Sequence, residues 1–151
     1  FVIDSKEIFS EVLKKIIREG QVTFYILQIE ECNSISGFAF TLNNNLNYYL
    51  NNNSENIELA KLIFEHQKIK KISFEIKESI KLLRYSGIHL KGQLFDVQIA
   101  HYLLKPERRH LLDLLSETYL EIKATNGAPY RIALPFPTPE MFCKSSVLIG
   151  Y

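Results

Sequence analysis

Three short runs limit what this chain can become: VTFYILQI at 22–29, ISGFAFTL at 35–42 and LNYYL at 46–50. Each is dense in β-branched and aromatic residues and is bounded by Asn- and Ser-rich breaks, so together they read as an antiparallel meander. The breaks NNNLN and NNNSEN are short enough to be turns, because asparagine tolerates left-handed backbone. The first run stops abruptly at Glu30 and Glu31, and a strand ending in carboxylates raises the question of a metal site. Adjacent strand residues point to opposite faces, however, so this pair cannot serve one pair of ions and reads as a solvated strand exit.

Helical signals surround the meander. DSKEIFSEVLKKIIREG carries a cap at Asp4 or Ser5, apolar residues Ile8, Phe9, Val12, Leu13, Ile16 and Ile17 at helical spacing, and a stop at Gly20. SENIELAKLIFEHQ repeats the pattern, with Ser54 as cap and Ile57, Leu59, Leu62 and Ile63 as its stripe. The short strand KKISF comes next, followed by a helix with Ile76, Ile80 and Leu83 inward and Gly87 as stop, then by extended IHLKGQLF. Asp96 is placed to cap VQIAHYLL, Pro106 ends that segment, and RRHLLDLLSETYL predicts another helix. Four prolines and Gly127 between Lys123 and Pro139 predict a loop before a last helix from about Glu140. Strands followed by alternation with helices imply a mixed sheet flanked by helices, an α/β fold with about five strands.

Composition narrows the function classes. With 151 residues, 46% hydrophobic and 12% aromatic, the chain suits one globular domain with a sizeable core. A formal charge of +1 gives no field able to hold a polyanion unaided. Cys32 and Cys143 lie far apart and near no histidine at ligand spacing, so they read as free thiols of a reducing cytoplasm. No run approaches the ~20 apolar residues of a membrane span, and no signal peptide is visible. The chain opens on Phe1 and is read as a piece of a longer protein. His66, His89, His101 and His110 do not pair at zinc spacing and read as surface or hydrogen-bonded structural histidines. Phe24, Tyr25, Phe38, Phe40 and Phe74 read as sheet core.

The most informative stretch is FDVQIAHYLLKPERRHLLDLLSETYL, residues 95–120. It resembles the segment FDT…YLL.P..RRH.LD.LAE.YL of the 3′–5′ exonuclease domain in bacterial family A DNA polymerases, the DNA polymerase I type. The order of elements around it fits as well, so the resemblance extends over nearly the whole chain. It implies the ribonuclease H-like (DnaQ-like exonuclease) fold and a domain, residues 1–151, belonging to a longer cytoplasmic bacterial polymerase of replication and repair. The partners it implies are the polymerase domain of the same chain and, through the full-length enzyme, DNA, with a monomeric protein and no membrane.

Exonucleases of this class use two divalent ions about 3.5–4 Å apart, which activate water and stabilise the leaving oxygen. Magnesium and manganese prefer oxygen ligands, so carboxylates must converge from separate elements. The resemblance assigns an Asp-x-Glu to the end of the first strand, an Asp to the start of a later helix, and an Asp four residues after a Tyr on the last helix. At those positions this chain carries Leu27 and Ile29, then Glu75, then Phe142 and Ser146. One carboxylate of four remains, lengthened by a methylene, and Lys71 stands where the family has Asn. The pattern is similar to the Bacillus-type branch, whose exonuclease domain keeps its fold without proofreading. It implies a catalytically inactive domain with no catalytic residue, metal or cofactor.

Arg108, Arg109 and Lys71 are the residues assigned to nucleic-acid contact, the arginines because they open a predicted helix and Lys71 as part of a basic patch with Lys68 and Lys70. The alternative is an active two-metal exonuclease, with Mg2+ or Mn2+ held by a rearranged set such as Glu30, Glu75 and Asp96. An unrelated interaction module sharing the fold is the third reading.

Overall fold

The computed structural model describes residues 1–29, 34–42 and 46–121. The predicted exit at Glu30 and Glu31, both cysteines, the middle of the first Asn-rich turn, the Pro-rich loop, the final helix, Phe142 and Ser146 all lie outside them. The chain forms two compact units, Phe1–Phe95 and one beginning at Asp96.

In the first unit, α1 (Lys6–Glu19) leads into the meander β1 (Gln21–Ile29), β2 (Ser34–Thr41) and β3 (Asn47–Asn51), followed by α2 (Ser54–Phe64), β4 (Lys70–Ser73) and α3 (Ile76–Tyr85). β5 (Leu94–Asp96) completes a five-stranded mixed sheet in the order β3-β2-β1-β4-β5. β1 and β2, like β2 and β3, run antiparallel, whereas β1 and β4 are parallel. The meander is therefore as the sequence predicts, and α2 supplies the crossover that a parallel pair requires.

Caps explain the helix boundaries. Ser5 accepts a hydrogen bond from Ile8 N and Gly20 closes α1 in the left-handed region. The cap of α2 is Asn53 rather than Ser54: Asn53 Oδ1 accepts from Asn56 N at 2.7 Å, and Ser54 is the first helical residue. Inward-facing residues also differ from the predicted stripe, since Ala60, Ile63 and Phe64 are buried while Leu62 is exposed.

The main core lies on one face of the sheet. Val22, Phe24 and Ile26 of β1, Phe38 and Phe40 of β2, and Tyr48 and Leu50 of β3 join Phe9, Val12 and Ile16 of α1 and Phe64 of α2. Phe64 is the centre, with its ring 5.1 Å from Phe24 and 5.6 Å from both Phe38 and Phe40. Edge and tilted contacts of this kind add to area burial. Phe64→Ala is expected to cost about 3–5 kcal/mol, read from the urea midpoint of the full chain.

The assignment of Lys71 to a basic surface patch is corrected by the structure. Pairing with Val22 turns its side chain to the core face, where it is fully buried. Its ammonium donates to His66 O just past α2 and to Lys91 O at 2.6 Å. The loop carrying Lys91 is pinned further by Lys91 N donating to Phe64 O at 3.0 Å and His89 N to Glu65 Oε1 at 3.0 Å. Gly92, at φ +86°, fits only without a side chain, since a Cβ would stand 2.7 Å from Gln67 O.

Burial lowers the Lys71 pKa from 10.5 to about 8. Below that value the folded and unfolded chains both hold the proton. Between it and the unfolded value the unfolded chain holds more, so stability rises with pH. Lys71→Met is expected to lose about 1–3 kcal/mol at neutral pH, because two partly buried carbonyls lose their donor. It should also lack the rise that the parent gains between about pH 8 and pH 10.5 in urea titrations.

Candidate functional site

The end of β1 is where the sequence comparison places the first ligand pair. Burial alternates along the strand: Val22, Phe24 and Ile26 face the main core, so Leu27 and Ile29 project from the opposite face. Leu27 is half-buried and Ile29 is 45% exposed. Leu27 pairs with Gly37 of β2, and the register then shifts so that Gln28 faces Ile35, which leaves Ser36 as an extra residue in a bulge. Gly37 is bare for a reason: a Cβ there would stand 2.5 Å from the Tyr49 ring, whose hydroxyl donates to Ser36 O at 3.4 Å. Opposite Leu27, the neighbouring strand thus presents a glycine covered by an aromatic ring.

Hydrocarbon side chains have no lone pair to offer a hard cation, so Leu27 and Ile29 cannot ligate magnesium or manganese. The two-ion arrangement of this fold does not fit the residues that β1 presents.

Glu75 lies between β4 and α3. It adopts φ 56°, ψ 52°, a left-handed conformation that costs a non-glycine residue about 1 kcal/mol. Its carbonyl accepts from Glu78 N and Ser79 N, its side chain makes no helix-capping hydrogen bond, and the residue is exposed. Nearby Ser73 is buried and donates from Oγ to Phe24 O at 2.9 Å, joining β4 to β1 beyond their last paired residues. The strained backbone at Glu75 was not visible in the sequence, where only its acidity drew notice.

The second unit contains α4 (Val97–Leu104) and α5 (Leu112–Leu120). Asp96 caps α4 as predicted, its Oδ1 accepting from Gln98 N at 2.9 Å and Ile99 N at 3.3 Å. Arg108 and Arg109 are exposed, but they do not open a helix: α5 begins at Leu112, and the arginines sit in the preceding turn, where Arg108 N donates to Lys105 O. Pro106 and the turn behind it take up the residues predicted to be the first turn of that helix. In the former basic patch Lys68 is exposed, while Lys70 lies with its Nζ 5.1 Å from the centre of the Phe95 ring. Among the described residues no group of three or more His, Cys, Asp or Glu side chains is placed to hold a metal ion. No helix among them is long and apolar enough to cross a membrane.

A five-stranded mixed sheet with this order and these flanking helices is a ribonuclease H-like fold, the one that DnaQ-like exonucleases share. The family DNA polymerase I, ribonuclease H-like domain, matches residues 30–121, well over half of the chain, and the chain belongs to it. The match runs from just past β1 through α5 and leaves out α1 and β1.

Solved structures agree on the fold. The POL domain of Pol1 from M. smegmatis, in complex with DNA primer-template and dNTP, superposes with a TM-score of 0.72 at 17% identity over 87% of this chain and 24% of its own. Trypanosoma brucei RNase D gives 0.69 at 12% identity, over 97% of this chain and 59% of its own. The Aedes aegypti Nibbler EXO domain gives 0.62 at 16% identity, over 97% and 80%. The chain therefore spans about a quarter of the mycobacterial chain and under two thirds of the trypanosomal one.

A cap role and a ligand role for Asp96 are separable. Asp96→Ala is expected to cost about 1 kcal/mol in urea unfolding of the full chain, whereas Asp96→Asn, which caps equally well, should be nearly neutral. An equal loss in both variants would mean that the negative charge, rather than the cap, matters.

Proposed function

We propose that this chain is a catalytically silent 3′–5′ exonuclease-like domain of a DNA polymerase I, of the kind found in the Bacillus-type branch. On this reading residues 1–151 are one domain of a longer cytoplasmic enzyme of replication and repair. The domain serves the polymerase part of the same monomeric chain as structural support, and DNA is engaged by the whole enzyme. Family membership and the M. smegmatis Pol1 likeness support the polymerase setting.

One observation carries the silence: the β1 positions that should hold ions present Leu27 and Ile29 on the open face of the strand. A two-ion exonuclease needs its negative charge there to offset four positive charges, and hydrocarbon leaves that charge uncompensated. Glu75, in a left-handed turn, is a single carboxylate with the longer arm of glutamate. Phe142 in place of Tyr and Ser146 in place of Asp extend the same pattern on sequence grounds. Exposed Arg108 and Arg109 are the candidates for phosphate contact.

Incubating the purified chain with labelled single-stranded DNA and Mg2+ or Mn2+ tests this reading. No shortening of the strand and no saturable Mn2+ heat in calorimetry are the expected results. Metal-dependent degradation that disappears in Glu75→Ala would establish the rearranged carboxylate set of Glu30, Glu75 and Asp96 instead.

A further inference from the structure

Two histidine rings fasten α4 to the turn that follows it. His101 of α4 is 5% exposed, and its Nδ1 lies 2.7 Å from Nδ1 of His110. The rings meet edge to face with centroids 4.8 Å apart. Tyr119 of α5 packs edge-on against His101, and Tyr102 of α4 against His110. Gln98 Nε2 adds a bond to His110 O at 3.2 Å.

Hydrogen counting makes this contact selective. A ring nitrogen offers either a hydrogen or a lone pair, and a short N···N contact needs one of each. Two neutral rings satisfy it as opposite tautomers, and an imidazolium donating to a neutral ring satisfies it as well. Two imidazoliums do not, because both Nδ1 atoms then carry hydrogen and two like charges face each other. A metal ion between them is a poor alternative: tetrahedral ligands at about 2.0–2.1 Å stand about 3.3 Å apart, and no third ligand joins the pair among the described residues.

We propose that the His101–His110 contact is a pH-operated latch, which holds turn 105–111 with its exposed Arg108 and Arg109 on α4 at neutral pH and releases it when the second imidazole takes a proton. The closed form accepts one proton fewer than the open form, so acid favours opening. The charged neighbours reinforce this. Burial foremost, then His110, Arg108 and Lys105, lower the His101 pKa, and Glu107 opposes them. α4 contributes the closing Lys105 and the Tyr102 phenol, the turn contributes Glu107, Arg108 and His110, and α5 contributes the Tyr119 phenol. The latch lies within the second unit and does not depend on whether the domain is catalytically silent.

Imidazole nitrogen NMR of the labelled 151-residue chain tests it. Opposite Nδ1 states for His101 and His110 are expected near neutral pH, with two coupled steps more than about one pH unit apart. Through the lower step, amides 105–111 should exchange roughly tenfold faster than the pH effect on free amides accounts for. In His110→Gln, whose amide oxygen accepts from His101 in either charge state, that excess should vanish. Independent single-site titration of the two rings in the parent chain, or unchanged protection of 105–111 across the lower step, would overturn the latch whether or not the variant folds.

Discussion

The contact of Phe64 with Phe24, Phe38 and Phe40 decides more than core stability. By holding α2 against one face of β1 and β2 it declares which face is inside. A strand alternates with period two, so once Phe24 points inward Leu27 and Ile29 must point the other way. The open face of β1, where an exonuclease of this class assembles its ions, is therefore fixed by an aromatic cluster on the far side of the sheet. A one-residue slip of β1 would turn Leu27 and Ile29 inward only by driving Phe24 and Ile26 out of the core.

Lys71 performs the corresponding task on the neighbouring strand. Its stem runs through the core on the Val22 side and its ammonium gathers carbonyls from the end of α2 and from the loop before β5. A cation buried without a carboxylate is costly, and burial lowers its pKa accordingly. Hydrogen bonds to carbonyls are what make the arrangement tolerable. Lys71 fixes the approach of the loop whose glycine, Gly92, nearly touches the backbone at Gln67. The residue that looked like a surface phosphate contact is thus a structural pin.

The legible parts of the sequence were those governed by local physics. Periodicity located the strands, cap chemistry located Ser5, Gly20 and Asp96, and the spacing of FDVQIAHYLL through SETYL carried the family. The illegible parts depended on partners distant in the chain. Lys71 between Lys70 and Ile72 reads as one of a basic run, and only pairing with Val22 turns it inward. His101 and His110 sit at no metal-binding interval, and a turn built around Pro106 is what brings their rings together. Asn53 rather than Ser54 caps α2, since either side chain can serve and sequence spacing alone does not choose between neighbours.

On the proposed reading, Leu27 and Ile29 stand where ligand carboxylates would, and that alters the energetics as well as the chemistry. Two acidic side chains on one strand face, at positions i and i+2, repel each other unless ions neutralise them, so an active site of this type is destabilising when empty. Leu27, set against Gly37 and near the Tyr49 ring that covers it, removes that repulsion and substitutes apolar contact. On the proposed reading the domain gains ion-independent stability as it gives up catalysis, which suits a part whose remaining task is to hold its shape beside a polymerase.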